Sequence, residues 1–153
     1  MPPRRAPRAP RSRGQSLVEF ALIFPVLMIL IGGIVQFGVI FWGQNTLTQV
    51  ARDTGRFAST QAACDAATAT TILATANSIA SQSSLVGYRS SSPWTSPANV
   101  VVSWSGTPCP PTNNTTVAYV SIQITHQVPI FFPWLPGSGN LTTVAQFRME
   151  PRP

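Results

Sequence analysis

The chain has 153 residues, a formal net charge of +6 and a hydrophobic fraction of 44%. This length allows one membrane helix and one small domain, but not two sizeable domains. The charge would ordinarily suggest a nucleic-acid partner, yet five of the ten basic residues are arginines in the first thirteen positions, and the rest of the chain has five arginines against four acids. Because no basic stripe with interleaved aromatic residues follows, we expect no nucleic-acid binding.

An arginine- and proline-rich leader, residues 1–14, is followed by an apolar run over residues 17–42. Only one ionisable side chain, Glu19, and one amide, Gln36, interrupt this run, which as a helix would be about 39 Å long and so long enough to cross a bilayer. A secretory signal peptide would be cut after its apolar segment, whereas a plausible cut here lies before it, so we expect the helix to remain as an anchor. The arginines on the N-terminal flank predict a cytoplasmic N-terminus, with residues after about Gly43 outside.

The junction between leader and helix carries a motif. Gly14 is followed by Gln-Ser-Leu-Val-Glu-Phe, which places Glu19 fifth and Phe20 sixth after the glycine. This junction resembles a prepilin processing site, and most closely that of the TadE-like proteins of tight-adherence (Flp-type) pilus systems, although Flp-type sites commonly have tyrosine where this chain has Phe20. The resemblance implies cleavage after Gly14 by a prepilin peptidase and pairing of Glu19 with the new amino terminus of Gln15 in a neighbouring subunit. The alternative is that Glu19 reaches headgroup water without a partner.

Small and polar residues form a stripe along the predicted membrane helix. Pro25, Gly32, Gln36 and Gly43 lie within about 40° of each other at 100° per residue. Glycines and amides allow membrane helices to associate, so the stripe, together with Glu19, predicts a helix-packing surface for assembly with other pilin subunits. A chance arrangement of common membrane-helix residues is the alternative.

Two helices are predicted. The apolar periodicity continues beyond the membrane run, which predicts one continuous helix over about residues 16–59. A second helix is predicted over about residues 65–81, with Asp65 capping its start.

Three strands follow, because apolar residues alternate around positions 100–104, 118–124 and 141–149. The predicted fold class is therefore α+β: a long N-terminal transmembrane helix that continues into a small extracytoplasmic domain with a second helix and a three-stranded antiparallel sheet. The expected organisation is a cleaved basic leader (1–14), a membrane-spanning helix and stalk (15–59) and an extracytoplasmic domain (60–153).

The connection before the last strand, residues 128–136, is too apolar and proline-rich for an ordinary solvated loop. We expect it to pack across the long helix. An alternative is that Phe131, Phe132 and Trp134 form an exposed patch for a partner subunit or for the bilayer surface.

Both cysteines, Cys64 and Cys109, lie in the outward-facing part of the chain, where an oxidising compartment favours a disulfide. The alternative, a thiol paired with His126 for hydrolysis, needs a third orienting group and leaves one cysteine idle. We expect His126 to be a strand-end residue. With four acids and one histidine the chain offers no metal constellation, and no phosphate loop or catalytic pair is recognisable, so we expect no cofactor, no metal and no enzymatic activity.

The resemblance implies a minor pilin or pseudopilin that acts in pilus assembly or at the pilus tip. Its partners would be the prepilin peptidase, other pilin subunits or the pilus assembly platform, and the membrane. The expected location is the bacterial cytoplasmic membrane, as a single-pass protein, or a surface pilus after incorporation. The alternative from another class is an unprocessed single-pass anchor that displays a ligand-binding extracytoplasmic domain.

Overall fold

The computed structural model describes residues 14–113, 115–133 and 139–151. Helix α1, Gln15–Ser59, is continuous over 45 residues and contains Pro25. It is the one helix in these ranges that is long and apolar enough to cross a membrane, and the side chains of its most apolar part are almost all exposed. Because these side chains do not pack in a protein core, they suit contact with lipid. The long apolar helix predicted from the sequence is confirmed.

The outer half of α1 forms one wall of the hydrophobic core. Leu47, Val50, Ala51 and Ala58 are buried, and their spacing of three, four and seven residues places them on one face of the helix. The hydrophobic core therefore includes about the last three to four turns of α1, which ends at Ser59.

Helix α2, Ala66–Gln82, packs against α1 and buries Ile72, Ala76 and Ala80. The carboxylate of Asp65 accepts a hydrogen bond of 2.7 Å from the backbone N–H of Thr68. This bond satisfies one of the free donors in the first turn, so Asp65 is the predicted N-cap.

An antiparallel sheet of three strands covers the other side of α1. Its strands are β1 (Val100–Ser105), β2 (Tyr119–Gln127) and β3 (Asn140–Arg148), in the order β1-β2-β3. On β2, Val120, Ile122 and Ile124 face inward and are fully buried, while the residues between them point away from the core. This alternation is the period-two pattern of the sequence, and the α+β fold is confirmed.

A disulfide between Cys64 and Cys109 joins the α1–α2 connection to the loop after β1. The sulfurs of both cysteines lie 3.6–3.7 Å from the sulfur of Met149, which is buried next to the end of β3. The bridge therefore links two separate parts of the chain covalently and contacts a third, the end of β3, at one edge of the core.

Candidate processing and assembly segment

Gly14 occupies the N-cap position of α1. Its carbonyl accepts the first helical hydrogen bond, 3.1 Å from the backbone nitrogen of Val18. The residue is exposed, and no described atom lies within 4 Å of the position that a Cβ would take there. The peptide bond that follows Gly14 is therefore at the accessible beginning of the helix.

Glu19 lies one helical turn above Gln15. The side-chain amide of Gln15 is 3.3 Å from a carboxylate oxygen of Glu19 and donates to it. Both side chains are exposed. The predicted processing residues Gly14, Gln15 and Glu19 are thus brought together within about two turns.

Phe20 points away from the protein core. It is 61% exposed, and its ring centroid lies 5.3 Å from that of Phe24, one turn further along. The aromatic residue of the motif is therefore part of the apolar outer surface of α1.

The small and polar stripe is used within the chain. Gly32 lies under the ring of Phe132, with 3.4 Å between the ring and the position of a Cβ on the glycine. A Cβ on Gly43 would lie 3.0 Å from Val128 and 3.1 Å from Leu141. Three of the four stripe residues, Gly32, Gln36 and Gly43, are buried in this way, whereas Pro25 is exposed. A role of the stripe between subunits stays a prediction.

Gln36 holds the apolar connection on the helix through two backbone contacts. Its side-chain oxygen accepts a hydrogen bond of 2.9 Å from the N–H of Phe131, and its amide nitrogen lies 3.5 Å from the carbonyl oxygen of Pro129. The connection packs across α1, as predicted, and Phe131 remains 57% exposed. Trp134, the third aromatic residue of the predicted partner surface, lies outside the described residues.

His126 lies near the end of β2 and is buried, where it holds a loop in place. Its Nδ1 is 3.2 Å from the indole nitrogen of Trp94, and its Nε2 is 2.9 Å from the carbonyl oxygen of Val86. Because an indole N–H can only donate, Nδ1 accepts and Nε2 carries the proton that is donated to Val86. Sequence reasoning missed this role because Trp94 comes from a loop that the strand pattern does not place.

Neither cysteine offers a thiol for the alternative hydrolytic pair, since Cys64 and Cys109 are bonded to each other. Among the described residues, no three side chains of His, Cys, Asp or Glu are grouped so that they could hold a metal ion.

The described chain thus combines a long, exposed apolar helix with a small α+β domain, and the second half of that helix forms part of the core of the domain. The family model described as TadE-like protein matches residues 14–56, from the N-cap glycine to the last turn of α1. Residues 14–56 are therefore similar to TadE-like proteins, as the motif indicated, and this match supports a pilin-like protein associated with a tight-adherence pilus. Residues after 56 lie outside the match. The comparisons with curated proteins and with solved structures gave no match.

Proposed function

We propose that this protein is a minor pilin or pseudopilin of a tight-adherence (type IVc) pilus, that a prepilin peptidase cleaves it after Gly14, and that it acts in pilus assembly or at the tip. The observation that carries the proposal is the beginning of α1. An exposed glycine at the N-cap, a carboxylate at the fifth position after it and a long apolar surface coincide there, within the segment that is TadE-like.

Two observations support an outward-facing domain. The leader has five arginines, which favours its retention in the cytoplasm. At the other end, the Cys64–Cys109 disulfide belongs to an oxidising compartment such as the bacterial periplasm. In the proposed orientation, the N-terminus is cytoplasmic and the domain lies outside the cytoplasmic membrane.

Assembly would depend on Glu19. Cleavage after Gly14 would create an ammonium group on Gln15, and a carboxylate at the same depth in a neighbouring helix would offset its desolvation. In the described chain Glu19 is exposed and has the side-chain amide of Gln15 as a neighbour, so it remains accessible to a second subunit. The partners in this proposal are the peptidase, other pilin subunits or the assembly platform, and the membrane.

The amino terminus of the native protein tests the cleavage step. Mass spectrometry of protein isolated from its own membrane should find a chain that begins at Gln15. A Gly14→Val variant should keep its leader, whereas a Ser12→Ala variant, altered two residues away, should be cut normally. A native chain that still begins at Met1 or Pro2 would contradict the proposal and favour the unprocessed anchor with a ligand-binding domain.

The assembly step is tested separately with Glu19→Ala. This variant should insert into the membrane as before but be lost from sheared surface fibres. Glu150→Ala removes an exposed acid from the outer domain and should leave incorporation unchanged. Normal amounts of the Glu19→Ala protein in fibres would contradict the pairing role.

A further inference from the structure

We propose that the connection between β2 and β3 inserts into the outer leaflet of the bilayer, so that the protein contacts lipid through a second element besides α1. The inserted element, called here the apolar tip, is residues 129–133, Pro-Ile-Phe-Phe-Pro. The proposal rests on α1 crossing the membrane, as in the proposed function, but not on cleavage or on incorporation into a fibre.

The position of the tip along α1 is the first argument. Phe132 packs on Gly32 and Phe131 is bonded to Gln36, and both helix residues belong to the apolar run. Counted from Leu17, where the run begins, Gly32 is about 22 Å and Gln36 about 28 Å along the helix, against about 30 Å for the hydrocarbon core. The tip therefore lies level with the outermost part of the hydrocarbon.

The side chains of α1 beside the tip are also apolar and exposed, as expected for a position within the hydrocarbon core. Ile34 and Phe37 are exposed by 66% and 65%, so the surface of α1 beside the tip is as apolar as the part below it. Trp42, about 9 Å further along the helix, is 58% exposed and stands where tryptophan is enriched, at the membrane–water interface.

The chemistry of the tip fits lipid. Ile130 and Phe131 are exposed by 43% and 57%, and the whole connection from Val128 to Gly139 contains no charged residue. Exposed apolar side chains of this kind are removed from water when they enter the boundary between headgroups and acyl chains, which favours insertion.

Irregular backbone is costly in lipid unless its polar groups have partners. In the tip, Gln36 accepts the N–H of Phe131 and approaches the carbonyl oxygen of Pro129, and the two prolines carry no N–H at all. At the base of the connection, the N–H of Val128 donates to the carbonyl oxygen of Gly139 over 2.7 Å. These partners explain why a lone amide stands within an otherwise apolar helix.

A cationic side chain, that of Arg89, lies next to the tip. Arg89 lines a surface depression together with Pro129 and Ile130. A guanidinium next to an inserted apolar element is suited to a lipid phosphate.

The experiment uses the full-length, oxidised protein in vesicles of phosphatidylethanolamine and phosphatidylglycerol. Single cysteines are introduced and spin-labelled, which the disulfide-bonded native cysteines do not prevent. Phe131→Cys and Ile130→Cys report on the tip, and each leaves the other residue in place. Phe37→Cys reports on lipid, and Ala74→Cys, on the exposed face of α2, reports on water.

Collision with oxygen, which concentrates in lipid, and with a water-soluble nickel chelate gives an accessibility ratio for each label. The ratio of oxygen accessibility to nickel accessibility for labels at 130 and 131 should approach that at 37. It should be several-fold higher than the same ratio at 74. Tip labels that behave like 74 while 37 reports lipid would overturn the insertion and leave the membrane helix intact. A water signal at 37 as well would overturn both the insertion and the proposed membrane position of α1.

Coverage of the tip by a second copy of the chain would give a different result. Labels at 130 and 131 would then be shielded from both reagents, and dilution with unlabelled protein would change their spectra. That outcome would also overturn insertion into lipid.

Discussion

The side-chain oxygen of Gln36 lies 2.9 Å from the backbone nitrogen of Phe131, which is 95 residues later in the chain, and accepts its hydrogen. Gln36 is only 6% exposed, although it stands within the most apolar helix of the protein. One amide thus links α1 to the connection between β2 and β3.

Replacement of this amide should release the connection. Gln36→Leu removes the acceptor of the Phe131 N–H, and a hydrogen bond of this kind contributes about 0.5–1.5 kcal/mol net, so the free energy of unfolding in detergent should fall by about that amount. Gln49→Leu is the matched control, because Gln49 is exposed on the same helix. Equal stabilities of the two variants would show that the Gln36 contacts contribute nothing.

Gly55 is a close-packing position. A Cβ there would overlap the ring of Phe147, so Gly55→Ala should destabilise the protein by about 1–3 kcal/mol through overpacking. Phe147→Leu in the same chain should recover part of that loss, which a double-mutant cycle measures by denaturant unfolding. Gly38→Ala is the control, since no described atom lies within 4 Å of its Cβ position. Additive effects of the two core substitutions would contradict the steric explanation.

The disulfide should account for a large share of the stability. It closes a sequence separation of 45 residues, for which the chain-entropy relation gives about 4 kcal/mol. Cys64→Ser with Cys109→Ser should lower the free energy of unfolding by about that much, and reduction of the wild type should produce a similar loss. The double variant should not respond to the reductant. A reductant effect on that variant would indicate that the loss comes from something other than the bridge.

His126 and Trp94 should be energetically coupled. His126→Phe removes both hydrogen bonds of the imidazole, and Trp94→Phe removes the indole donor from the same pair. Each substitution should destabilise the protein, and the double variant should lose less than the two single losses together, by about 0.5–3 kcal/mol. Thermal unfolding of the four proteins measures this difference. Fully additive losses would mean that the two rings act independently.

The N-cap of α2 predicts an acid-dependent loss of stability. The hydrogen bond from the Thr68 N–H lowers the pKa of Asp65 below the usual value for aspartate, about 3.9. The unfolded chain therefore takes up the proton first as pH falls. The contribution of this carboxylate is complete above that value and is lost as the pH falls through the lower pKa of the folded state.

Asp65→Asn provides the comparison, because asparagine can cap the helix but does not titrate. Unfolding midpoints measured between neutral pH and pH 2 should fall less steeply for this variant in the acid range. Parallel curves for the two proteins would show that the Asp65 carboxylate has no such effect.

Local patterns were sufficient to predict the elements of the fold. Apolar residues three and four positions apart indicated α1 and α2, and alternating apolar residues indicated the three strands. The location of Cys64 and Cys109 in the outward-facing part of the chain indicated the disulfide. Each of these signals depends on neighbours in sequence or on the compartment alone, which is why the sequence carries it.

What covers the small and polar stripe could not be predicted in the same way. Gly32, Gln36 and Gly43 would accept either a second helix or a loop, because a flat surface with one amide suits both. The structure places the chain's own connection there, from residues almost a hundred positions away. The use of His126 depended likewise on Trp94, which reaches it from a distant loop.

The core of the domain is built on the same helix that carries the apolar run, and this helix is continuous from Gln15 to Ser59. Between these two residues, no flexible linker separates the apolar half of the helix from the α+β domain. A pulling force applied to the N-terminal half of α1 would therefore act directly on the hydrophobic core of the domain, so the resistance of the protein to force depends on the stability of that core.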